Sequence, residues 1–387
     1  MYKKFLSYLV ISSYIAFSYS FIIINAESNN QANLETSAAS AVLISACDSN
    51  IIYAKNENEK RSMASTTKIM TALISLEEAN IDDKKVKITD EMVRIEGSSM
   101  GLMPGNVITI SNMVKGMMMC SGNDAANSLA ISIAGSPAKF AERMNEKASQ
   151  IGMKNTHFVT PSGLDSDEHY STSYDMAILG AYAMENPNFR NIVAQKHMKV
   201  NFIEPDEIHC YKNHNRLLSL YDSCTGIKTG FTKKSGRCLV SCAEKNGVRL
   251  VAVTLNDGDD WRDHQKMFDY GFSMLSSIKL DDSTIKLSIP VVGGISDETN
   301  IIGGNSTELT ILNKDVDKIE RTIEMPNFLY APLCKGQIVG KVIYKIDDKV
   351  VATNDLIVQE DNKLFIKDSI ISKICYFLSN LFNKNRC

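Results

Sequence analysis

Apolar positions along this chain change their period more than once. The stretch Ala64–Asn80, ASTTKIMTALISLEEAN, starts with small hydroxyl residues and one lysine, then turns apolar at helical spacing, which predicts a helix. From there to about Pro187 the pattern stays mostly helical: ISNMVKGMMMCSGNDAANSLAISIA and SPAKFAERMNEKASQIGM each carry apolar residues three and four apart. Upstream, AAVLISACDSNIIYAKNENEKR predicts two short strands around the polar turn Asp48-Ser49-Asn50. From Lys228 the period becomes that of strands. RCLVSCAEKNGVRLVAVTL predicts a hairpin turning at Lys245-Asn246-Gly247, and WRDHQKMFDYGFSML a closing helix. Together these elements predict an α+β domain over 38–279, an antiparallel sheet covered by helices with a helical subdomain inserted. Residues 284–366 show strand-like runs alone, including a hairpin turning at Asp347-Asp348, and predict a small all-β domain.

The two ends carry different signals. Residues 1–26 hold two lysines, a mostly apolar stretch and a small residue at a cleavage point near Ala26, which predicts a secretory signal peptide; an uncleaved anchor is the alternative. Residues 27–37 read as a polar linker. In 367–387 one helical face gathers Ile370, Ile371, Ile374, Phe377, Leu378, Leu381 and Phe382, while Lys373, Lys384 and Arg386 lie elsewhere. That predicts a C-terminal amphipathic helix, with residues 368–387 resting on the outer leaflet of a membrane; docking on the chain's own β domain is the alternative. The expected location is extracellular, at the cytoplasmic membrane and cell wall.

Composition narrows the class. The chain has 387 residues, 44% hydrophobic and 22% charged, with a net charge of −3 and no basic block, so nucleic-acid binding lacks its electrostatic footprint. Nine cysteines show no metal-ligand spacing and read as buried thiols. Six histidines contain no His-Glu-x-x-His, His209 and His214 read as surface residues, and no metal or cofactor is called for.

Ser-x-x-Lys occurs four times, from Ser65, Ser136, Ser276 and Ser283. Only Ser65 opens an apolar-periodic helix and is followed in order by Ser121-Gly122-Asn123 and by the single Lys-Thr-Gly, Lys228-Thr229-Gly230. On a helix, residues three apart share a face, so Lys68 reaches back to Ser65. A serine hydroxyl needs a base to become a nucleophile, and Lys68 is a base only when neutral. Burial and a second cation, Lys228, both lower a lysine pKa. Ser121 is placed to relay a proton, Asn123 to hold a substrate amide, and Lys228 with Thr229 to meet a terminal carboxylate. Gly230 leaves room for an extended substrate beside the strand.

With these residues the sequence resembles the D-alanyl-D-alanine carboxypeptidases, serine-type low-molecular-mass penicillin-binding proteins. The resemblance runs from about Ala38 to the C-terminus and includes SGNDAA, THFVTPSGLDSDEHYSTSYDMA, TGIKTGFT and YAPLCKGQIVGKVIYK. It implies a β-lactamase/transpeptidase-like catalytic fold followed by the all-β domain. It also implies removal of the terminal D-alanine from peptidoglycan stem pentapeptides, β-lactam antibiotics acting as covalent inhibitors. Carried over by motif, Ser65 is the acylated nucleophile, Lys68 its base, Ser121 the proton relay and Lys228 the carboxylate binder. The backbone N–H groups of Ser65 and Phe231 form the oxyanion hole, and Arg262 adds a cation to the carboxylate site. Two rivals stand beside this reading. A class A-like β-lactamase adds a carboxylate for deacylation, in a Glu-x-x-Leu-Asn element between the second and third motifs that is absent here, and Asp165, Asp167 and Glu168 lie in that interval within PSGLDSDEHYS, a stretch that resembles the carboxypeptidases; an idle wall-binding scaffold requires no reactive serine.

Overall fold

The computed structural model describes residues 34–365; the expected signal peptide, most of the expected linker and the expected C-terminal helix lie outside the described residues. Strands β1 (Ser40–Ser45), β2 (Ile51–Lys55), β3 (Cys224–Thr232), β4 (Gly236–Lys245) and β5 (Val248–Leu255) form one antiparallel sheet in the order β2-β1-β5-β4-β3. The sequence is written for a sheet covered on both faces. Along β4, Cys238, Val240 and Cys242 enter one core while Leu239 and Ala243 enter the other. The β4–β5 turn falls where expected: Asn246 and Gly247 both have positive φ, 51° and 78°, the mirror-image geometry that follows the strand twist.

Helices α1 (Lys68–Ile81), α2 (Ile110–Cys120), α3 (Asn123–Ala134) and α4 (Ser173–Glu185) lie on the first face, and α5 (Asp260–Met274) closes the second with Met267 and Phe268. The apolar stretch from Ile110 to Ala134 is two helices rather than one, because Ser121 caps α2 in the left-handed region at φ 62°. A hairpin of His197–Phe202 and Glu207–Lys212 escapes the sequence pattern, since its second strand is almost wholly exposed and shows no apolar alternation.

After α5 the chain enters a second unit. Strand β6 (Leu275–Asp281) pairs along its length with β9 (Ser306–Leu312). A six-stranded sheet has the order β10 (Glu320–Glu324), β12 (Ile338–Ile346), β13 (Lys349–Val358), β8 (Glu298–Gly303), β7 (Lys286–Val292), β11 (Leu329–Tyr330). The β structure of this unit therefore starts at Leu275, ahead of residue 284. At the junction the buried carboxylate of Asp282 accepts from Arg321 Nη2 at 2.7 Å, Tyr344 Oη at 2.8 Å and Asn354 Nδ2 at 2.7 Å. Three donors onto one desolvated acid offset the cost of burying its charge. No helix among the described residues is long and apolar enough to cross a membrane.

Candidate active site

Ser65 stands in a 3₁₀ turn, Ala64–Thr67, that leads into α1. Its backbone N–H has no acceptor among the described residues, as expected in the first turn of a helix. Lys68, fully buried, places Nζ 3.0 Å from Ser65 Oγ, 2.7 Å from Asn123 Oδ1 and 2.7 Å from the Ser162 carbonyl. A neutral amine has two N–H bonds and one lone pair. Asn123 and Ser162 offer acceptors alone on their facing atoms, so they take both N–H bonds, and the lone pair is left for the one partner that can donate, Ser65. Burial pushes the Lys68 pKa well below that of a free lysine, and the charge of Lys228 pushes it further; Cys120 and Asp124 act in the opposite direction.

The Asn123 amide is committed at both ends, because Nδ2 donates to the Glu96 carbonyl at 2.7 Å. The loop that supplies this carbonyl is held by Asp124, buried at the start of α3, which accepts from Ser99 Oγ at 2.6 Å and from the N–H groups of Met100, Gly101 and Leu102. Ser121, buried at the α2–α3 junction, makes no side-chain hydrogen bond among the described residues.

Strand β3 is the free edge of the sheet beside this cluster. A side chain at Gly230 would put its Cβ 3.0 Å from Ser65 N and from the Met63 carbonyl, so glycine lets the strand lie against the nucleophile's own backbone. Phe231 pairs in register with Arg237, whose carbonyl accepts from Asp257 N on its far side at 3.0 Å. A strand residue turns its N–H and C=O to the same side, so Arg237 faces away from β3 and Phe231 presents both groups to the open edge. The Ser65 and Phe231 N–H groups are thus unspent and adjacent.

Lys228, on the same strand face as Gly230, is buried and donates to the Thr229 carbonyl at 2.9 Å. Burial lowers its pKa to about 8. Burial and the Lys228 charge both favour the neutral form of Lys68, so of the two lysines Lys228 is the one suited to carry the charge. An activity that needs both states rises with pH as Lys68 is deprotonated and falls through about 8 as Lys228 loses its charge. A kcat/KM profile on a substrate bearing a C-terminal carboxylate is expected to show that basic limb; a plateau to pH 10 contradicts it. His214, on the rim, has its pKa held down by desolvation and then by the Lys228 charge.

Of the predicted residues, Arg262 makes no side-chain hydrogen bond or ion pair among the described residues, though its neighbours Asp260 and Trp261 contact Arg237, the register partner of Phe231. Arg262 is exposed in the first turn of α5, and α5 packs by Met267 and Phe268 on the face of the sheet opposite α1. The cation that the structure puts opposite Phe231 is Arg237, itself tied to Asp260 and lying 5.4 Å over the Trp261 ring.

Sequence reasoning passes over the 159–170 loop as a working part. Thr71 Oγ1 donates to the Pro161 carbonyl at 2.6 Å, next to the Ser162 carbonyl on Lys68. His169, buried, accepts the Val159 N–H at Nδ1, 2.9 Å away, and therefore carries its proton on Nε2, 2.9 Å from Thr67 Oγ1. Burial lowers its pKa to about 4, so it stays neutral and keeps this tautomer. Asp165 accepts from Ser62 Oγ and Thr232 Oγ1, both at 3.0 Å, and Asp167 pairs with Lys234 at 2.6 Å on the surface. The signal is present in PSGLDSDEHYS, whose Gly, Asp and His punctuate a loop too polar for a core.

The sequence profile described as D-alanyl-D-alanine carboxypeptidase matches residues 25–259, and that described as penicillin-binding protein 5, C-terminal domain, matches 274–364. The chain is 33% identical over 343 residues to D-alanyl-D-alanine carboxypeptidase DacF of Bacillus subtilis, covering 84% of this chain and 86% of that one. It is 32% identical over 341 residues to DacC of Escherichia coli, covering 83% of each. Among solved structures it is similar to penicillin binding protein 5 from Haemophilus influenzae, with a TM-score of 0.66 and 29% identity, over 85% of this chain and 98% of that chain. It is also similar to the Streptomyces K15 DD-transpeptidase, with a TM-score of 0.58 and 31% identity, over 62% of this chain and 98% of that one.

Proposed function

Because the chain belongs to the D-alanyl-D-alanine carboxypeptidase family, and so is a serine-type D-Ala-D-Ala carboxypeptidase of the penicillin-binding proteins, we propose how its own residues divide that reaction. Ser65 Oγ attacks the carbonyl between the two D-alanines of a peptidoglycan pentapeptide while Lys68 Nζ takes its proton. The oxyanion sits between the N–H groups of Ser65 and Phe231. Lys228, with Thr229, holds the terminal carboxylate. Ser121 passes a proton to the leaving amine of D-alanine, and water then releases the acyl group. Asn123 acts first on the enzyme, as an acceptor that fixes Lys68. Gly230 keeps the edge of β3 open to an extended peptide.

The observation that carries this reading is the Lys68 amine, fully buried, 3.0 Å from Ser65 Oγ and held at 2.7 Å by both Asn123 Oδ1 and the Ser162 carbonyl. The rival β-lactamase assignment needs a carboxylate poised over the acyl bond. Asp165 and Asp167 are instead bound to Ser62, Thr232 and Lys234 at the rim, which supports slow release of β-lactams. The scaffold reading gives no reason to desolvate an amine beside a serine. Fluorescent penicillin is expected to label the wild-type chain at Ser65 and to leave Ser65→Ala unlabelled, and treated pentapeptide muropeptides should lose the mass of one alanine. Equal labelling of the mutant, or rapid turnover of nitrocefin, contradicts the assignment.

The division of labour along the chain is part of the same proposal: export through residues 1–26, a linker over 27–37, catalysis within 38–279, a β domain over 284–366 and membrane association through 368–387. Its support is the sequence pattern at both ends and the β unit that separates the site from the tail.

A further inference from the structure

Six large apolar side chains of the β domain are exposed on neighbouring chain segments joined by backbone pairing. Val292 is the register partner of Tyr330 where β7 meets β11, and the Tyr330 ring lies 5.4 Å from that of Phe328 in an edge-on contact. The last described residues run beside the same place: Phe365 N donates to the Gly293 carbonyl at 2.8 Å, Ile295 N to the Lys363 carbonyl at 2.8 Å, and Leu364 bridges Gly294. Tyr330 is 67% exposed, Ile295 66% and Phe365 60%, with Val292, Leu364 and Phe328 near half. Apolar side chains scattered singly over a surface are ordinary, whereas a contiguous group signals a partner.

The chain itself indicates which partner. Residues 366–387 leave from Phe365, inside this group, and their sequence gathers seven apolar residues on one helical face. A helix over 368–387 is about 30 Å long at ~1.5 Å per residue. The group spans three neighbouring chain segments, roughly 10–15 Å at ~4.8 Å between strands. Folding the tail back on the group therefore leaves much of the tail's apolar stripe in water, while a bilayer interface takes both. Tyrosine and phenylalanine are also the side chains that settle at the headgroup boundary.

We infer that this end of the β domain, Val292, Ile295, Phe328, Tyr330, Leu364 and Phe365, lies on the lipid interface. The inference rests on the membrane reading of residues 368–387. It adds that the β domain touches lipid directly, which sets the domain's orientation on the bilayer.

The chain has a single tryptophan, so Tyr330→Trp in a Trp261→Phe background gives a lone reporter. The full chain is mixed with phosphatidylglycerol–phosphatidylethanolamine vesicles whose acyl chains carry bromine. The emission of this reporter is expected to shift to the blue and fall at least about twofold, while a Tyr182→Trp reporter on the catalytic domain, in the same background, is unaffected. Joint replacement of Ile295, Phe328 and Tyr330 by serine should weaken vesicle partitioning about tenfold and leave turnover of a soluble D-Ala-D-Ala peptide within about twofold. A chain that sediments with vesicles while the Tyr330→Trp reporter stays unquenched overturns the inference and keeps the tail reading. Emission already blue-shifted without vesicles, and unquenched with them, assigns the group to the tail or to a second copy and overturns it too. A chain that does not sediment at all removes both readings.

Discussion

Lys68→Arg lowers the rate of acylation by penicillin by about 10²–10⁴-fold, the loss expected when the general base is removed from a serine nucleophile. The substitution is chosen for its protonation chemistry. Guanidinium does not give up a proton in the accessible pH range, so it supplies donors for Asn123 Oδ1 and the Ser162 carbonyl yet has no lone pair for Ser65. Lys68→Gln has no base either and is expected to be equally slow. If Lys68 served only as a cation, the arginine variant would retain most of the activity and the glutamine variant would lose it. The measurement is the second-order rate of covalent labelling. A guanidinium is bulkier than the space around a fully buried amine and keeps its charge where burial and Lys228 oppose one, so thermal unfolding is followed in parallel and the rate is read on folded protein; overpacking alone costs about 1–3 kcal/mol. A labelling rate for Lys68→Arg within tenfold of wild type refutes the base assignment.

Gly163→Ala is expected to damage both stability and catalysis from a loop that carries no catalytic group. A Cβ there would lie 1.9 Å from the Ala64 carbonyl oxygen and 2.5 Å from its carbon, and Gly163 has φ 86°. Backbone must move, and the backbone concerned immediately precedes Ser65. A left-handed alanine alone costs about 1–2 kcal/mol, and the collision adds to that, for a total of roughly 3 kcal/mol or more. A displacement of about 1 Å at the nucleophile lowers kcat/KM by about 10²-fold. Gly152→Ala is the control: its φ is 87° and no atom lies within 4 Å of the added carbon, so it carries the conformational cost alone. Thermal melts and kcat/KM of the two variants separate strain from collision. Equal behaviour of the two would show that the contact with Ala64 does not matter.

The two replacements also mark how far the sequence can be read. Ser65, Lys68, Ser121, Asn123 and the Lys228–Phe231 strand are legible because each lies in a short pattern whose order along the chain is itself informative. Arg262 is suggested by type and approximate spacing alone, because the direction of a side chain on a surface helix is set by which apolar face that helix buries. The 159–170 loop falls within a stretch that resembles the family, yet its working parts stay hidden there. Its contribution is a backbone carbonyl, a close approach at Gly163 and a buried neutral histidine, none of which has a period. The hairpin at 197–212 is lost for a related reason, because its exposed second strand has no apolar alternation to detect.

By itself, the sequence determined the elements and their order: a helix within Ala64–Asn80, the hairpins at Asn246-Gly247 and Asp347-Asp348, the α+β unit followed by an all-β one, and the three motifs; that Ala64–Thr67 is a 3₁₀ turn and the α-helix starts at Lys68 was decided by the structure. The elements and their order follow from side-chain periodicity and from residues whose backbone preference is local. Tertiary structure decided whether Lys68 is a base. Its protonation depends on what removes it from water and on which acceptors hold its N–H bonds. Those come from Asn123 and Ser162, 55 and 94 residues along the chain, and from the charge of Lys228 on the neighbouring strand. Desolvation and Coulomb energy depend on distance through space, so the reactivity of that amine exists only once the chain has folded.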